Sequence, residues 1–509
     1  MSADSLYRRL VKGSGLVFVG LVFELGFSFL SQLVIARFFG RVDYGAISLG
    51  VTVLGFATTI ALLGMNKGIG RNLPMFEKPS ERRGVLVSAF QISLPLGGLI
   101  GAGIFFSAPL LATRVFGDAS VTNVIRIFGA TVPIAVVMRL IIGAVQGIQL
   151  SRAKVIVRNI VMPTTRLAGV VVVLLFGFGV LGLAVAYALA FVVAAVVGLY
   201  FVYRYTSLFD DTRPEGMHRT LLAFSAPLVV SATMTKVLSD IDTALLGVYA
   251  TTGDIGVYNV VYPLAALMSI PMNALGFLFL PIISELYAED EIGEMARMYQ
   301  VVAKWTVLAT MPLLFGMVLF PESVIAVTFG PGYLDGGLAL TVLSVGFFLP
   351  LVAGPNSNVL VSVGATKYIM YVDTATALLN VALNVVLIPR YSFLGAAAAT
   401  AASYLFMNVL YSVQVYRETS AHPLTRSMVV PSAVSAVYAT GVYLFVSLLV
   451  TVTPVVAILA GVVITAGHGA IVLAFGGVEE EEVMLVLSFE ERFGIDLGPF
   501  KRVANWLIR

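Results

Sequence analysis

The sequence predicts an all-α polytopic membrane protein of about 14 transmembrane helices: two six-helix parallel-repeat lobes around a central cavity, plus two extra C-terminal helices. Three observations carry this prediction. Hydrophobic residues make up 59% and charged residues 12% of the 509, with a mean hydropathy of +0.97, whereas soluble domains carry roughly 25% charge. Apolar runs of about 18 residues or more recur from end to end, the length of a bilayer-crossing helix. In hydrocarbon only helices and closed barrels satisfy their backbone, and these runs lack the alternation of barrel strands. Finally, the cations crowd into alternate links between the runs.

The spans fall at about 13–38, 44–66, 84–113, 124–149, 157–178, 180–203, 221–248, 255–283, 301–320, 338–364, 368–388, 393–416, 428–450 and 454–477. The start MSADSLYRRLVKGSG is polar and basic, and the apolar run after it exceeds signal-peptide length, so it is expected to remain as the first span. Pro and Gly punctuation near 95–98 and 350–355 predicts kinked or broken helices there. With the N-terminus cytoplasmic, 23 of the 31 Lys and Arg residues lie in inside segments and three, Arg41, Arg114 and Arg390, lie outside. The other five, Arg37, Arg126, Arg139, Arg166 and Lys236, fall within spans. This asymmetry predicts a multi-pass protein of the cytoplasmic (plasma) membrane with both termini cytoplasmic. No internal link is long enough for a folded soluble domain. In the tail after 477, Phe500, Val503 and Leu507 share a helical face with Trp506 as an anchor, which predicts an amphipathic helix on the cytoplasmic surface; a solvated tail is the other reading.

The chain repeats itself. LVIARFFGRVDYG at Leu33–Gly45 is echoed by LLGVYATTGDIGVYN at Leu245–Asn259, with Asp43-Tyr44-Gly45 on Asp254-Ile255-Gly256 at an offset of 211. Gly179–Tyr187 is echoed by Ser392–Thr400 at an offset of 213, and Val145–Gly147 matches Val361–Gly364 just before a basic link. A unit of six spans is even, so both copies enter the membrane from the same side, related by an axis along the membrane normal. The expected domains are 1–210 (spans 1–6), 211–420 (spans 7–12), 421–477 (spans 13 and 14) and 478–509 (the tail).

LVIARFFGRVDYGAISLG resembles the first-loop signature of the polysaccharide flippases, the Wzx-like branch of the MOP exporter superfamily, which also holds the MATE and MurJ-related proteins. Ala36, Arg37, Gly40, Asp43, Tyr44 and Gly45 match that pattern, while Phe39 replaces its usual leucine and Arg41 its usual proline. Gly64 to Arg71, Ile241-Asp242, GDIGVYN, Leu280–Ser284 and FLGAAAAT extend the likeness over about residues 10–420. The resemblance implies flipping of lipid-linked oligosaccharides by alternating access between two six-helix lobes. It also implies that the two extra helices help form a groove for the lipid tail.

Ionisable groups inside the spans are the candidate site residues, since each costs roughly 2.5–3.5 kcal/mol at a helix centre. Arg139, Arg166, Lys236, Glu24, Asp240 and Asp242 sit well inside, and as a lipid-exposed set they would cost on the order of 15 kcal/mol. Arginine suits phosphate because its planar fork donates in pairs. Arg139 is the leading substrate contact, with Gln146 seven residues on along the same face; Arg37, Arg126, Arg166 and Lys236 complete the cationic set. Arg37 and Arg126 are also placed to snorkel from span ends, and Lys236 with Asp240 to neutralise each other one turn apart. Asp242 points to a different face from Asp240. Glu24, Asp240 and Asp242 are the candidates for coupling to a proton or sodium gradient, and Glu24 reads equally as an acid bonded to a neighbouring helix. Asn380 and Asn384, one turn apart, read as interhelical glue or as sugar contacts.

Other chemistry is excluded or unsupported. The chain has no cysteine, so disulfides and thiolate sites are impossible. His218, His422 and His468 form no metal-ligand spacing, and no HExxH, GxSxG or phosphate-binding glycine loop occurs. No catalytic residue, cofactor, metal or nucleic-acid partner is expected. The expected partners are a lipid-linked glycan, membrane lipid, and the glycosyltransferases and polymerase or oligosaccharyltransferase of the same pathway. Two further readings stand beside the flippase: a cation-coupled multidrug exporter of the MATE branch, against which spans 13 and 14 weigh, and a membrane glycan polymerase or ligase, against which the short outside links weigh.

Overall fold

The computed structural model describes residues 3–206 and 211–475. The expected tail helix lies outside the described residues. Among those described, every regular element is helical, and the protein is an all-α polytopic membrane protein. Among the described residues, eleven segments are long and apolar enough to cross a bilayer. Two of them, Val19–Leu62 and Thr366–Thr419, run to 44 and 54 residues, about twice the roughly 20 residues one crossing needs. Fourteen crossings are compatible with this count.

The chain forms two compact units, one of residues up to Val260 with Asn384–Ala396, the other of Val261–Leu383 with the described residues from Ala397 onward. In the first, α1 (Ala3–Leu62) breaks at Gly40, whose φ of 83° a side chain would resist. Then follow α2 (Met65–Asn72), α3 (Pro79–Leu110) and α4 (Thr122–Gly147). The short α5 (Ser151–Lys154) passes through a π-helical stretch, Val155–Val161, into α6 (Met162–Phe176). The unit continues with α7 (Gly179–Tyr205), α8 (His218–Tyr249) and the larger part of α9 (Thr252–Ala266). At its centre is α4, packed on α1, α2, α3 and α7. Compactness therefore groups α8, the first span of the second repeat, with the first unit.

The two repeat motifs meet inside this unit. A Cβ on Gly45 would lie 1.9 Å from the Thr252 carbonyl oxygen, and one on Gly256 would lie 2.0 Å from that of Arg41. These two contacts are reciprocal, since Arg41 and Gly45 shifted by the 211-residue offset are Thr252 and Gly256, as expected across a two-fold axis. The Tyr44 hydroxyl donates to the Asn259 carbonyl at 3.0 Å. The Thr252 hydroxyl donates to Asp118 at 2.5 Å, and Asp118 also accepts from the backbone and hydroxyl of Ser120.

The second unit comprises α10 (Ile270–Ala288), α11 (Ile292–Leu319), α12 (Pro321–Thr328), α13 (Gly337–Val352), α14 (Asn356–Ser362), most of α15 (Thr366–Thr419), α16 (Arg426–Leu449) and α17 (Pro454–Phe475). Pro312 inside α11 has no N–H for the Leu308 carbonyl four residues back. His468 of α17 repairs this from outside, its Nε2 2.9 Å from that carbonyl and its Nδ1 2.8 Å from the Ser435 hydroxyl on α16. A carbonyl only accepts, so Nε2 carries the proton. Between α13 and α14 the chain breaks at Gly354, with φ 76°. A Cβ there would meet Tyr299 and Ala303 at 3.0 Å, and the Tyr299 hydroxyl lies 2.5 Å from both the Ala353 carbonyl and Asn356 Oδ1. This is the break that Pro and Gly near 350–355 predict.

Two outcomes follow from the Gly45 crossing. Gly45→Val forces α1 and α9 apart, an overpacking cost of about 1–3 kcal/mol, and should lower the temperature at which the detergent-solubilised protein loses monodispersity; an unchanged value would show that the helices do not approach so closely. Burial pushes the Asp118 carboxyl up, but the hydrogen bonds from Ser120 and Thr252 outweigh it and hold the group below its ordinary value of 3.8. A depressed carboxylate stabilises the fold above its unfolded value and loses that contribution as pH falls through its folded value. Wild-type stability should therefore drop as pH falls below about 4 more steeply than that of Asp118→Asn, measured by thermal melting across pH.

Candidate functional site

The first unit draws ionisable side chains from four helices into one cluster. Glu24 on α1 accepts from the Asn159 amide of the π-helical stretch and lies 3.8 Å from Arg158 Nε. Lys154 is within electrostatic reach of both Arg158 and Glu24. Arg139 on α4 is within reach of Arg158 and of Asp240 on α8. Asp240 in turn pairs with Lys236 at 2.8 Å and accepts from the Ser239 hydroxyl. Four cations therefore face two carboxylates, an excess of positive charge among apolar helices.

Local structure explains the placement. Arg139 and Gln146 are exposed while every residue from Leu140 to Val145 is buried, so α4 shows a polar strip on an otherwise packed cylinder. The wide π turn sets Asn159 and Arg158 against Glu24, and such turns recur at functional sites. Space for Lys236 comes from Gly55 on α1, where a Cβ would lie 2.6 Å from the Lys236 Nζ. The ammonium also sits 5.8 Å from the centre of the Phe56 ring.

The remaining candidates lie elsewhere. Arg166 donates to the Ser28 hydroxyl at 2.6 Å and stacks 5.3 Å from the Tyr187 ring centre, which binds α6 to α1 and α7. Arg126 donates to Asn123 at 3.3 Å, and Arg37 is exposed on α1. Asp242 is buried and accepts from the Tyr258 hydroxyl and the Asn384 amide, each at 2.5 Å. It stands on a different side of α8 from the Lys236–Asp240 pair, and Asn384 is the glue the sequence suggests. Asn380 is buried. Lys154, Arg158 and Asn159 were not singled out by sequence; the sole hint is the four-residue spacing of the two cations at the start of an apolar run. Among the described residues, no group of three or more His, Asp or Glu could hold a metal ion.

The chain is a polytopic helical membrane protein with a cationic cluster among its spans, and its family is shown directly: residues 10–287 match the family described as polysaccharide biosynthesis protein, and the chain belongs to it. It is 23% identical over 403 residues to the probable low-salt glycan biosynthesis flippase Agl15 of Haloferax volcanii, covering 79% of this chain and 83% of that protein. Its fold is similar to that of the lipid II flippase MurJ in an inward closed conformation, with a TM-score of 0.69 at 12% identity, covering 91% of this chain and 98% of MurJ. It is also similar to an inward-facing multidrug resistance MATE transporter of the MOP superfamily, with a TM-score of 0.64 at 14% identity, covering 78% and 94%. The resemblance to the polysaccharide family read in the sequence is thus borne out, and the fold is similar to those of MurJ and MATE transporters.

Proposed function

We propose that this protein is a flippase that moves lipid-linked oligosaccharide, a glycan on a polyprenyl or dolichyl phosphate, across the cytoplasmic membrane by alternating access for polysaccharide or N-glycan assembly. It is a transporter and not an enzyme. The observation that carries the reading is the excess positive charge around Arg139 in a chain of the polysaccharide biosynthesis family. The phosphate groups of such a lipid are the anionic partner that this charge suits. Arg139 and Gln146 are exposed donors on one face of α4; Arg158 and Lys154 join them, while Arg166 acts through packing. The same charge disfavours the MATE-like reading for cationic drugs, which the cluster would repel.

Coupling to a proton or sodium gradient rests on Glu24, which accepts from the Asn159 amide with Arg158 3.8 Å away, and on Asp242, which accepts from the Tyr258 hydroxyl and the Asn384 amide. Asp240 is committed to Lys236. Both termini lie in the cytoplasm, and the enzymes that build the glycan and those that polymerise or transfer it are the pathway partners.

Removing a charge-assisted contact should cost roughly 1.5–3 kcal/mol, or about tenfold to a hundredfold. Arg139→Ala should lower outward delivery of lipid-linked glycan by that factor in vesicles while inserting at the wild-type level; normal delivery would sink the site. Collapsing proton and sodium gradients should slow the wild type several-fold and leave Asp242→Asn indifferent. A wild type equally fast without either gradient removes both carboxylates from coupling.

A further inference from the structure

The second unit contains a cavity of about 520 Å3 where α10, the α13–α14 break and α15 face one another. This volume falls within the roughly 300–1,000 Å3 range of small-ligand sites. None of the described residues lining it is Lys, Arg, His, Asp or Glu. Its polar side chains are amides and hydroxyls, among them Asn273, Ser357, Asn358 and Asn408, beside the rings of Phe347 and Tyr404. We infer that this cavity is a binding site for uncharged saccharide, the sugar portion of the substrate; the inference rests on the flippase reading above and assigns part of the ligand to a second place.

The hydrogen-bonding inventory selects that chemistry. Asn273 and Ser357 are exposed in the cavity wall with no protein partner among the described residues. Asn358 donates its amide to the Gly276 carbonyl at 2.8 Å, and Asn408 donates to the Tyr404 carbonyl at 2.9 Å. Those bonds fix both side chains and leave their carbonyl oxygens as acceptors. Free donors and free acceptors thus face the cavity from three helices, Asn273 on α10, Ser357 and Asn358 on α14 and Asn408 on α15. A sugar hydroxyl donates and accepts at once and uses both. A phosphate would use only donors, a metal ion only acceptors, and an acyl chain neither, leaving the amides without partners at a desolvation cost. Phe347 and Tyr404, with ring centres 5.1 Å apart, supply apolar surface for the C–H faces of a sugar ring.

The wall is also preformed. Gly354 permits the break, and Tyr299 secures Ala353 and Asn356 on either side of it. Asn356 is buried and donates to the Ser412 hydroxyl at 2.9 Å, which ties the α13–α14 break to α15. Ser357 and Asn358 are therefore presented by a rigid corner, which spares the ordering cost of binding.

The test uses the full chain in liposomes and two probes: the lipid-linked oligosaccharide pool extracted from the source membranes, and the same pool trimmed by glycosidases to its carrier-proximal sugar. Losing a hydrogen-bonding group from a site built for hydroxyls should raise the KM for the full-length pool about tenfold in Asn273→Leu and leave the trimmed pool within about twofold. Ser357→Ala, which removes a single oxygen, should shift the same ratio in the same direction and guards against a folding defect at 273. Equal loss on both probes, or no change on either, overturns the saccharide site. A wild type that moves neither probe overturns the flippase reading itself, an outcome distinct from both.

Discussion

Hydrocarbon offers no hydrogen-bond partner, and this constraint shapes the molecule at two helix irregularities and one buried carboxylate. A proline in α11 strands the Leu308 carbonyl, and His468 supplies the missing donor from another helix. A glycine opens the chain between α13 and α14, and Tyr299 occupies the freed carbonyl. The buried carboxylate of Asp242 is met by a tyrosine hydroxyl and an asparagine amide. In each case the irregular backbone or buried polar atom is matched by a side chain from elsewhere in its unit. The breaks are thus affordable only as parts of packed tertiary structure.

The crossing at Gly45 and Gly256 obeys a different rule. Here two backbones touch with no side chain between them, the close approach that small residues allow when lipid is the solvent. Its reciprocity, Gly45 on Thr252 and Gly256 on Arg41, is independent evidence for the repeat, since a chance resemblance of sequence would not place equivalent atoms in equivalent contacts. Tyr44 and Asp118 then add directed bonds around it.

Much of this was legible in the sequence, for physical reasons. Spans are readable because the cost of exposing polar backbone to lipid forces long apolar runs. The pairing of Lys236 with Asp240 is readable because a helix puts residues four apart side by side, and the shared exposure of Arg139 and Gln146 because seven residues make two turns. What was hidden is tertiary. Glu24 has no partner in its own helix; its partners lie some 135 residues on, in a π-helical stretch whose register no 3.6-residue reading anticipates. Arg158 and Lys154 stand at a span edge, where basic residues also serve as determinants of topology. Helix periodicity says where a side chain points on its own cylinder and nothing about which cylinder stands opposite.

The two units also differ in the chemistry they expose, and the difference separates structural from functional polarity. A network that only stabilises a fold gains by balancing its charges, because each unpaired ion carries its full desolvation cost. Arg166, placed between Ser28 and Tyr187, fits that description. The cluster of Arg139, Arg158, Lys154 and Lys236 does not, since two carboxylates leave it positive. Excess charge among apolar helices persists where water or an anionic ligand meets it. The cavity of the second unit is the neutral counterpart: unspent amides and hydroxyls with no ion among them. Each surface has its own hydrogen-bonding chemistry: the cationic cluster of the first unit suits an anionic oxygen, and the neutral cavity of the second suits groups that donate and accept at once.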